Sequence, residues 1–216
     1  MHSSVLKLLG PLVVATTLIF CGVTAGFAST AVQVTPEQAD TIQEITNYFN
    51  SFKELQGEFT QISPKGNMSR GVFFISKPGK MRFEYAPPNP FLIVADGKWL
   101  TIKNRNKEKG DQFPLSETPL RLVLAAKVDL LHDTRILGFE DADGLVSVTL
   151  EDKDSAVGGQ LILVFDQRRK ELQQWVVIDG KGRRTTVSLE NIVAGTPPDP
   201  KLFVVKINRQ EKERTK

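Results

Sequence analysis

The chain reads as an α+β protein, mainly antiparallel β, with a curved sheet and helices on one side of it. Three observations predict this. Short strand-like segments recur from Gln56 onward and are punctuated by turn residues. Only two stretches carry a substantial helical pattern. No internal repeat and no linker between domains interrupts the pattern.

The strands are clearest in residues 71–104. Turn signals fall at Pro78-Gly79, at Pro87 to Pro90 and at Asp96-Gly97. Between the first two, Met81, Phe83 and Tyr85 alternate with Lys80, Arg82 and Glu84. Successive strand side chains point to opposite faces, so three large apolar groups share one face. That face needs cover, either from an ordinary core or from an apolar ligand.

Taken in order, the first helix is expected to start at Thr35-Pro36-Glu37-Gln38. Thr35 can cap, Pro36 suits the first helical position, and Gln38 completes a capping box. Ile42, Ile45, Phe49 and Phe52 then recur at helical spacing and make an apolar stripe. Strands are expected over 56–63, 70–76, 80–86, 91–95, 98–103, 134–139, 145–151, 160–166, 171–179, 184–192 and 203–207. Asp143-Gly144 and Asp179-Gly180 read as hairpin turns. A second helix is expected to open at Ser116-Glu117-Thr118-Pro119 and run to about Lys127, with Leu120, Val123 and Leu124 as its apolar face.

The first 28 residues read as a secretory signal peptide: Lys7, an apolar stretch from Leu8 to Val23, and small residues at Gly26 and Ala28. A lipid-modification site at Cys21 is disfavoured, because bulky Phe20 precedes it. Residues 29–207 are then one domain of a size that supports a substantial core, and 208–216 are a polar tail. Cys21 is the single cysteine, so the processed chain holds together without disulfides. The formal net charge is +3, which does not suggest nucleic-acid binding.

Catalytic groups are scarce. The histidines are His2 and His132, and no G-x-S-x-G motif accompanies either. His132 follows Leu130-Leu131 and reads as a helix end or loop. The acids around Glu140, Asp141, Asp143, Glu151, Asp152 and Asp154 fit no EF-hand spacing and read as a solvated turn. Gly158-Gly159 and Gly180-Lys181-Gly182 read as hairpin glycines, not phosphate cradles. Lys65, Arg70, Lys77, Lys80 and Arg82 form a basic run, read either as a solvated surface or as a docking patch for an acidic partner or for lipid headgroups at a membrane surface.

The order G-V-F-F-I, Lys77-Pro78, G-K-M-R-F-E-Y, a Pro-rich turn and D-G-K-W-L resembles the outer-membrane lipoprotein carrier proteins of Gram-negative bacteria, the LolA family. Gly57 to Gln61 upstream and Pro114 to Leu120 downstream fit the same pattern. The resemblance covers roughly residues 36–206. It implies an open, incomplete β-barrel whose apolar concave face is covered by a lid of helices. It implies a periplasmic chaperone, not an enzyme, that takes lipoproteins by their acyl chains and needs no cofactor or metal. Its partners would be lipoproteins, an inner-membrane lipoprotein-releasing transporter, and an outer-membrane receptor or the outer membrane itself; the carrier would be a monomer. Met81, Phe83, Tyr85, Leu120, Val123 and Leu124 would line the acyl-chain cavity. Lys77 stands where the family has a basic residue, usually Arg, that latches the lid through helix carbonyls. The alternative is a related open-barrel periplasmic protein that binds free lipid or senses envelope state.

Overall fold

The computed structural model describes residues 30–154 and 158–206. The expected signal segment lies outside these residues, as does the expected tail.

The first helix, α1, runs Pro36–Asn50. Its capping box is formed: the Gln38 amide donates to Thr35 Oγ1 at 3.3 Å, and the Thr35 amide donates to Gln38 Oε1 at 3.0 Å. Two otherwise orphaned donors are thereby satisfied. Ile42, Ile45 and Phe49 are buried. Phe52 lies just past the helix and packs on the same core.

Eleven strands follow: β1 Glu54–Ile62, β2 Met68–Ser76, β3 Lys80–Tyr85, β4 Phe91–Asp96, β5 Trp99–Asn104, β6 Gly110–Pro114, β7 Thr134–Ala142, β8 Leu145–Asp152, β9 Gln160–Asp166, β10 Glu171–Ile178 and β11 Arg184–Ala194. They form a single antiparallel curved sheet in the order β6-β5-β4-β3-β2-β1-β11-β10-β9-β8-β7. Each neighbour is next in sequence except at the centre, where β1 pairs with β11. Two meanders therefore meet along one seam. The edges, β6 and β7, do not pair, so the sheet stays open. Those two edges are consecutive in the chain. The segment joining them holds a 3-10 turn at Leu115–Glu117, then helices α2, Leu120–Leu124, and α3, Leu130–Asp133.

Strand alternation sorts the side chains into two cores. The inner face carries the large apolar cluster, which α1, α2 and α3 cover. The outer face has a small one, where Phe203 packs on Leu92 and Val94. Glycine is required where the backbone crowds. A Cβ at Gly71 would stand 2.1 Å from the Glu84 carbonyl oxygen, and at Gly57 it would stand 2.7 Å from that of Glu190. Gly57 sits within a register shift between Gln56 and Glu58, where a bulge re-aims β1.

Three expectations are corrected. The second helix does not run from Ser116 to Lys127: α2 ends at Leu124 because Ala125 is extended, with ψ at 153°. Of the strand expected over 203–207, the described residues 203–206 are not a strand. Asp199 caps a 3-10 turn over Pro200–Phe203, which turns Phe203 inward. A strand not expected, β6, pairs with β5 through Trp99↔Pro114 to Lys103↔Gly110. The hairpin glycine Gly144 and its neighbour Asp143 do take positive φ, at 82° and 56°.

Candidate functional site

The site is the inner face of the sheet and the helical strap across it. On β3, Met81, Phe83 and Tyr85 are 2–3% exposed. On the strap, Val123 and Leu124 are buried, and Leu120 is half-buried against the same cluster. All six residues singled out from the sequence thus meet in one apolar body. Lys80, Arg82 and Glu84 face away, as the alternation requires.

Around Phe83 the face is aromatic. Its ring centroid lies 4.7 Å from Phe59, 5.7 Å from Phe73 and 5.7 Å from Trp175. Phe73 stands directly across from Phe83 in the β2–β3 register. Tyr85 packs edge-on to Phe59 and donates its hydroxyl to Gln61 Oε1 at 2.6 Å. Burial pushes that phenol up to about 12. Phe59, Phe73 and Trp175 were not singled out from the sequence. The pattern that gives Phe83 would have found the first two, in G-E-F-T-Q and G-V-F-F-I.

A few polar bonds hold the strap and α1 in place. The β2–β3 turn reaches both. The Lys77 ammonium donates to the Phe49 carbonyl in the last turn of α1 and lies 4.5 Å from the Phe52 ring centroid. Two residues on, the Gly79 amide donates to the Leu124 carbonyl at the end of α2, at 2.8 Å. Burial pulls Lys77 down to about 8. The Phe49 carbonyl favours the charged form and opposes that pull. The two helical pieces are also tied to each other. Asn50 donates from Nδ2 to the Val128 carbonyl and accepts from the Val128 amide, both at 2.8 Å.

The far end of α2 is held differently. The Arg121 guanidinium donates from Nε and Nη2 to the two carboxylate oxygens of Asp152, the last residue of β8. Asp154 lies 3.4 Å from the same Nη2. The Asp152 side chain is 1% exposed, and its carboxylate raises the Arg121 guanidinium further above its ordinary range. This corrects the reading of the acidic stretch as a solvated turn: Asp152 is a buried partner of the strap. No sequence signal links the two residues, because the sheet alone brings them together.

The basic run is also resolved. Lys77 turns under α1, whereas Arg82 faces out and binds Glu84 at 2.8 Å and the Leu202 carbonyl at 2.9 Å. These charges do not share one face. His132 is 85% exposed and pairs with Asp133 at 3.0 Å, with no nucleophile in the arrangement. Among the described residues, no group of three or more His, Cys, Asp or Glu could hold a metal ion, and no helix is long and apolar enough to cross a membrane.

An open antiparallel sheet with helices strapped over its apolar face defines a lidded, incomplete-barrel protein. The sequence model described as "Outer membrane lipoprotein carrier protein LolA" matches residues 50–206, and the chain belongs to that family. It is 30% identical over 173 residues to the outer-membrane lipoprotein carrier protein of Xanthomonas axonopodis pv. citri (strain 306), covering 76% of this chain and 80% of that one. It is 27% identical over 188 residues to the carrier protein of Methylococcus capsulatus, covering 82% and 86%. Among solved structures, a putative outer membrane lipoprotein-sorting protein domain from Vibrio parahaemolyticus overlays with a TM-score of 0.46 at 10% identity, over 76% of this chain and 95% of that one.

Proposed function

We propose that this chain is a periplasmic chaperone. It binds the acyl chains of lipoproteins released from the inner membrane and delivers them to the outer membrane. The observation that carries the reading is the apolar inner face closed by a strap held through a handful of polar ties. Its relatives' shared name supports the cargo class.

The physical demand fits. Burial stabilises by about 0.8 kcal/mol per methylene, so an acyl chain of about 16 carbons is worth about 12 kcal/mol out of water. Free diffusion between two membranes is prohibitive. A carrier must cover the chains, yet hold them less snugly than a membrane does. Rings and a flexible methionine can slide apart to admit a chain and close again when it leaves. Met81, Phe83, Tyr85, Leu120, Val123 and Leu124 are the residues that part, and Lys77 is the latch. On this reading the protein binds its cargo and carries out no reaction on it.

Residues 1–28 are the signal that directs export, so the working chain starts near Ser29. N-terminal sequencing of periplasmic protein tests this; recovery of Met1 or of a lipid on Cys21 overturns it. Native mass spectrometry of the same preparation tests the cargo. A bound triacylated lipoprotein is expected. A free lipid instead assigns the chain to a lipid-binding or sensing role on the same fold.

A further inference from the structure

The fold leaves one buried polar group without a role. The Tyr48 hydroxyl, on α1, is buried and makes no hydrogen bond. Among the described residues it is the one buried side-chain oxygen or nitrogen in that state. We infer that it serves a ligand: the groove between α1 and the β9–β10 turn takes an acyl chain where the chain joins its head, and Tyr48 donates to the ester or amide carbonyl there. This rests on the carrier reading above and adds a polar contact to it.

The helix repeat builds one wall of the groove. Glu44, Asn47, Tyr48 and the capping residue Ser51 stand at i, i+3, i+4 and i+7, so they share one face of α1. Phe165 near the end of β9 and Lys170 just before β10 form the other wall. The volume is about 360 Å³, inside the ordinary range of about 300–1,000 Å³ for ligand sites. Phe165 is 1% exposed and belongs to the inner cluster, and the Tyr48 ring packs edge-on against it with centroids 5.5 Å apart. The two rings thus belong to both the groove and the inner face, and a chain seated between them leads from one to the other.

Other polar groups of the groove are already engaged. Asn47 Oδ1 accepts from Gln43 Nε2 at 3.0 Å, and Ser51 Oγ donates to the Tyr48 carbonyl at 2.7 Å. On the rim, the Lys170 ammonium meets the Glu44 carboxylate at 2.6 Å. What remains open is the Tyr48 hydroxyl. The Leu172 amide faces its oxygen, outside hydrogen-bond geometry. An amide N–H only donates, so the proton of the hydroxyl is the part that lacks a partner. Burial pushes the phenol up to about 12, so that proton stays in place at physiological pH. The fitting partner is a neutral acceptor at the head of an apolar chain, which a carbonyl supplies. A carboxylate would bring a charge into the same apolar surroundings at greater cost.

Packing alone does not call for this hydroxyl. Phenylalanine would fill the same space against Phe49, Phe52 and Phe165 without burying an unsatisfied group. The hydroxyl is covered while the groove is empty, so the ring tilts toward the groove as a carbonyl arrives. Ring contacts oppose that tilt, and no hydrogen bond at the hydroxyl does.

Tyr48→Phe separates a ligand donor from a packing residue. The probes are palmitoyl lysophosphatidylcholine, whose chain is ester-linked, and its hexadecyl ether counterpart, which keeps chain length and head but has no carbonyl. Each is titrated below its micellar concentration by displacement of a hydrophobic dye. Tyr48→Phe is expected to bind the ester at least about threefold more weakly, the loss of one hydrogen bond, and to bind the ether as wild type does. Its unfolding temperature is expected at or above that of wild type. An ester affinity that does not fall, or that falls together with the ether's, overturns the inference, as does wild type binding neither lipid. A lowered unfolding temperature also overturns it, since the hydroxyl would then have a partner inside the fold. Co-migration of a synthetic triacylated lipopeptide with the wild-type chain scores the carrier reading separately. A chain that takes the lipopeptide but shows no ester-specific loss keeps the carrier and loses the Tyr48 contact. A chain that ignores the lipopeptide yet shows the loss refutes the carrier and keeps the groove as an acyl-ester site.

Discussion

Lys77 donates to the carbonyl of Phe49 across the join between a strand turn and a helix end. A side chain from the sheet thus satisfies one of the carbonyls that α1 leaves unpaired in its last turn. The bond exists only while α1 lies on the sheet.

Removing this donor should loosen the lid. Burial penalises the ammonium, so the bond's net contribution is that of an ordinary hydrogen bond, about 0.5–1.5 kcal/mol, enough to shift an open–closed equilibrium severalfold. Lys77→Leu is expected to take up lipopeptide but pass it to outer-membrane vesicles severalfold more slowly than wild type. Lys77→Arg should preserve closure. Equal transfer by wild type and a folded Lys77→Leu, checked by circular dichroism, would reduce Lys77 to a packing residue.

The same lysine gives a pH dependence. Closed, Lys77 sits at about 8; open and in water, it returns to its ordinary 10.5. Below pH 8 it is charged in both forms, so closure does not change with pH. From pH 8 to 10.5 the open form holds more protons, and raising the pH favours the closed form. Uptake of a hydrophobic dye should therefore be flat below pH 8 and fall above it. Lys77→Leu should abolish the slope in dye titrations at constant ionic strength.

Phe83 lies at the centre of the rings, so its truncation should be felt globally. Phe83→Ala is expected to lower unfolding stability by about 3–5 kcal/mol in urea titrations. Phe83→Glu would place a carboxylate among rings, at a cost of several kcal/mol if it stays charged. The contact with Trp175 also supplies a reporter. In a Trp99→Phe background, Trp175 emission should change when lipopeptide enters. Unchanged emission on a saturated sample would remove Phe83 from the cavity.

Gly71→Ala would force a methyl group to within 2.1 Å of the Glu84 carbonyl oxygen, which is backbone and cannot swing aside. A loss of about 1–3 kcal/mol at the least is expected from such overpacking. A thermal midpoint equal to wild type would mean that β2 and β3 separate more easily than their register implies.

Most of the fold is legible wherever one period dominates. K-M-R-F-E-Y can satisfy a half-buried strand in one register alone, and the β3 burial follows it. The T-P-E-Q start fixes α1 through local hydrogen bonds. The strand β6, G-D-Q-F-P, shows no alternation, since it is an edge whose pairing depends on β5. Conversely, F-V-V-K-I looks like a strand, but the Asp199 cap and Pro200 commit the chain to a 3-10 turn first. The end of α2 is set from outside its own sequence: the Gly79 amide takes the Leu124 carbonyl where the backbone turns extended. The candidate site divides in the same way. Its apolar residues announce themselves by spacing, whereas the Arg121–Asp152 pair is made by tertiary placement and is silent in the sequence.

The seam between β1 and β11 has a kinetic consequence. Every other strand pairing joins neighbours in the chain, and several do so through tight turns, so both meanders can form from local contacts. The pairing of Leu55 with Ala194 brings together positions near opposite ends of the domain. Closing so long a loop costs entropy before any contact repays it. Folding is thus timed by the middle of the sheet, and a newly made chain exposes the unpaired edges of β1 and β11 until that central join is made.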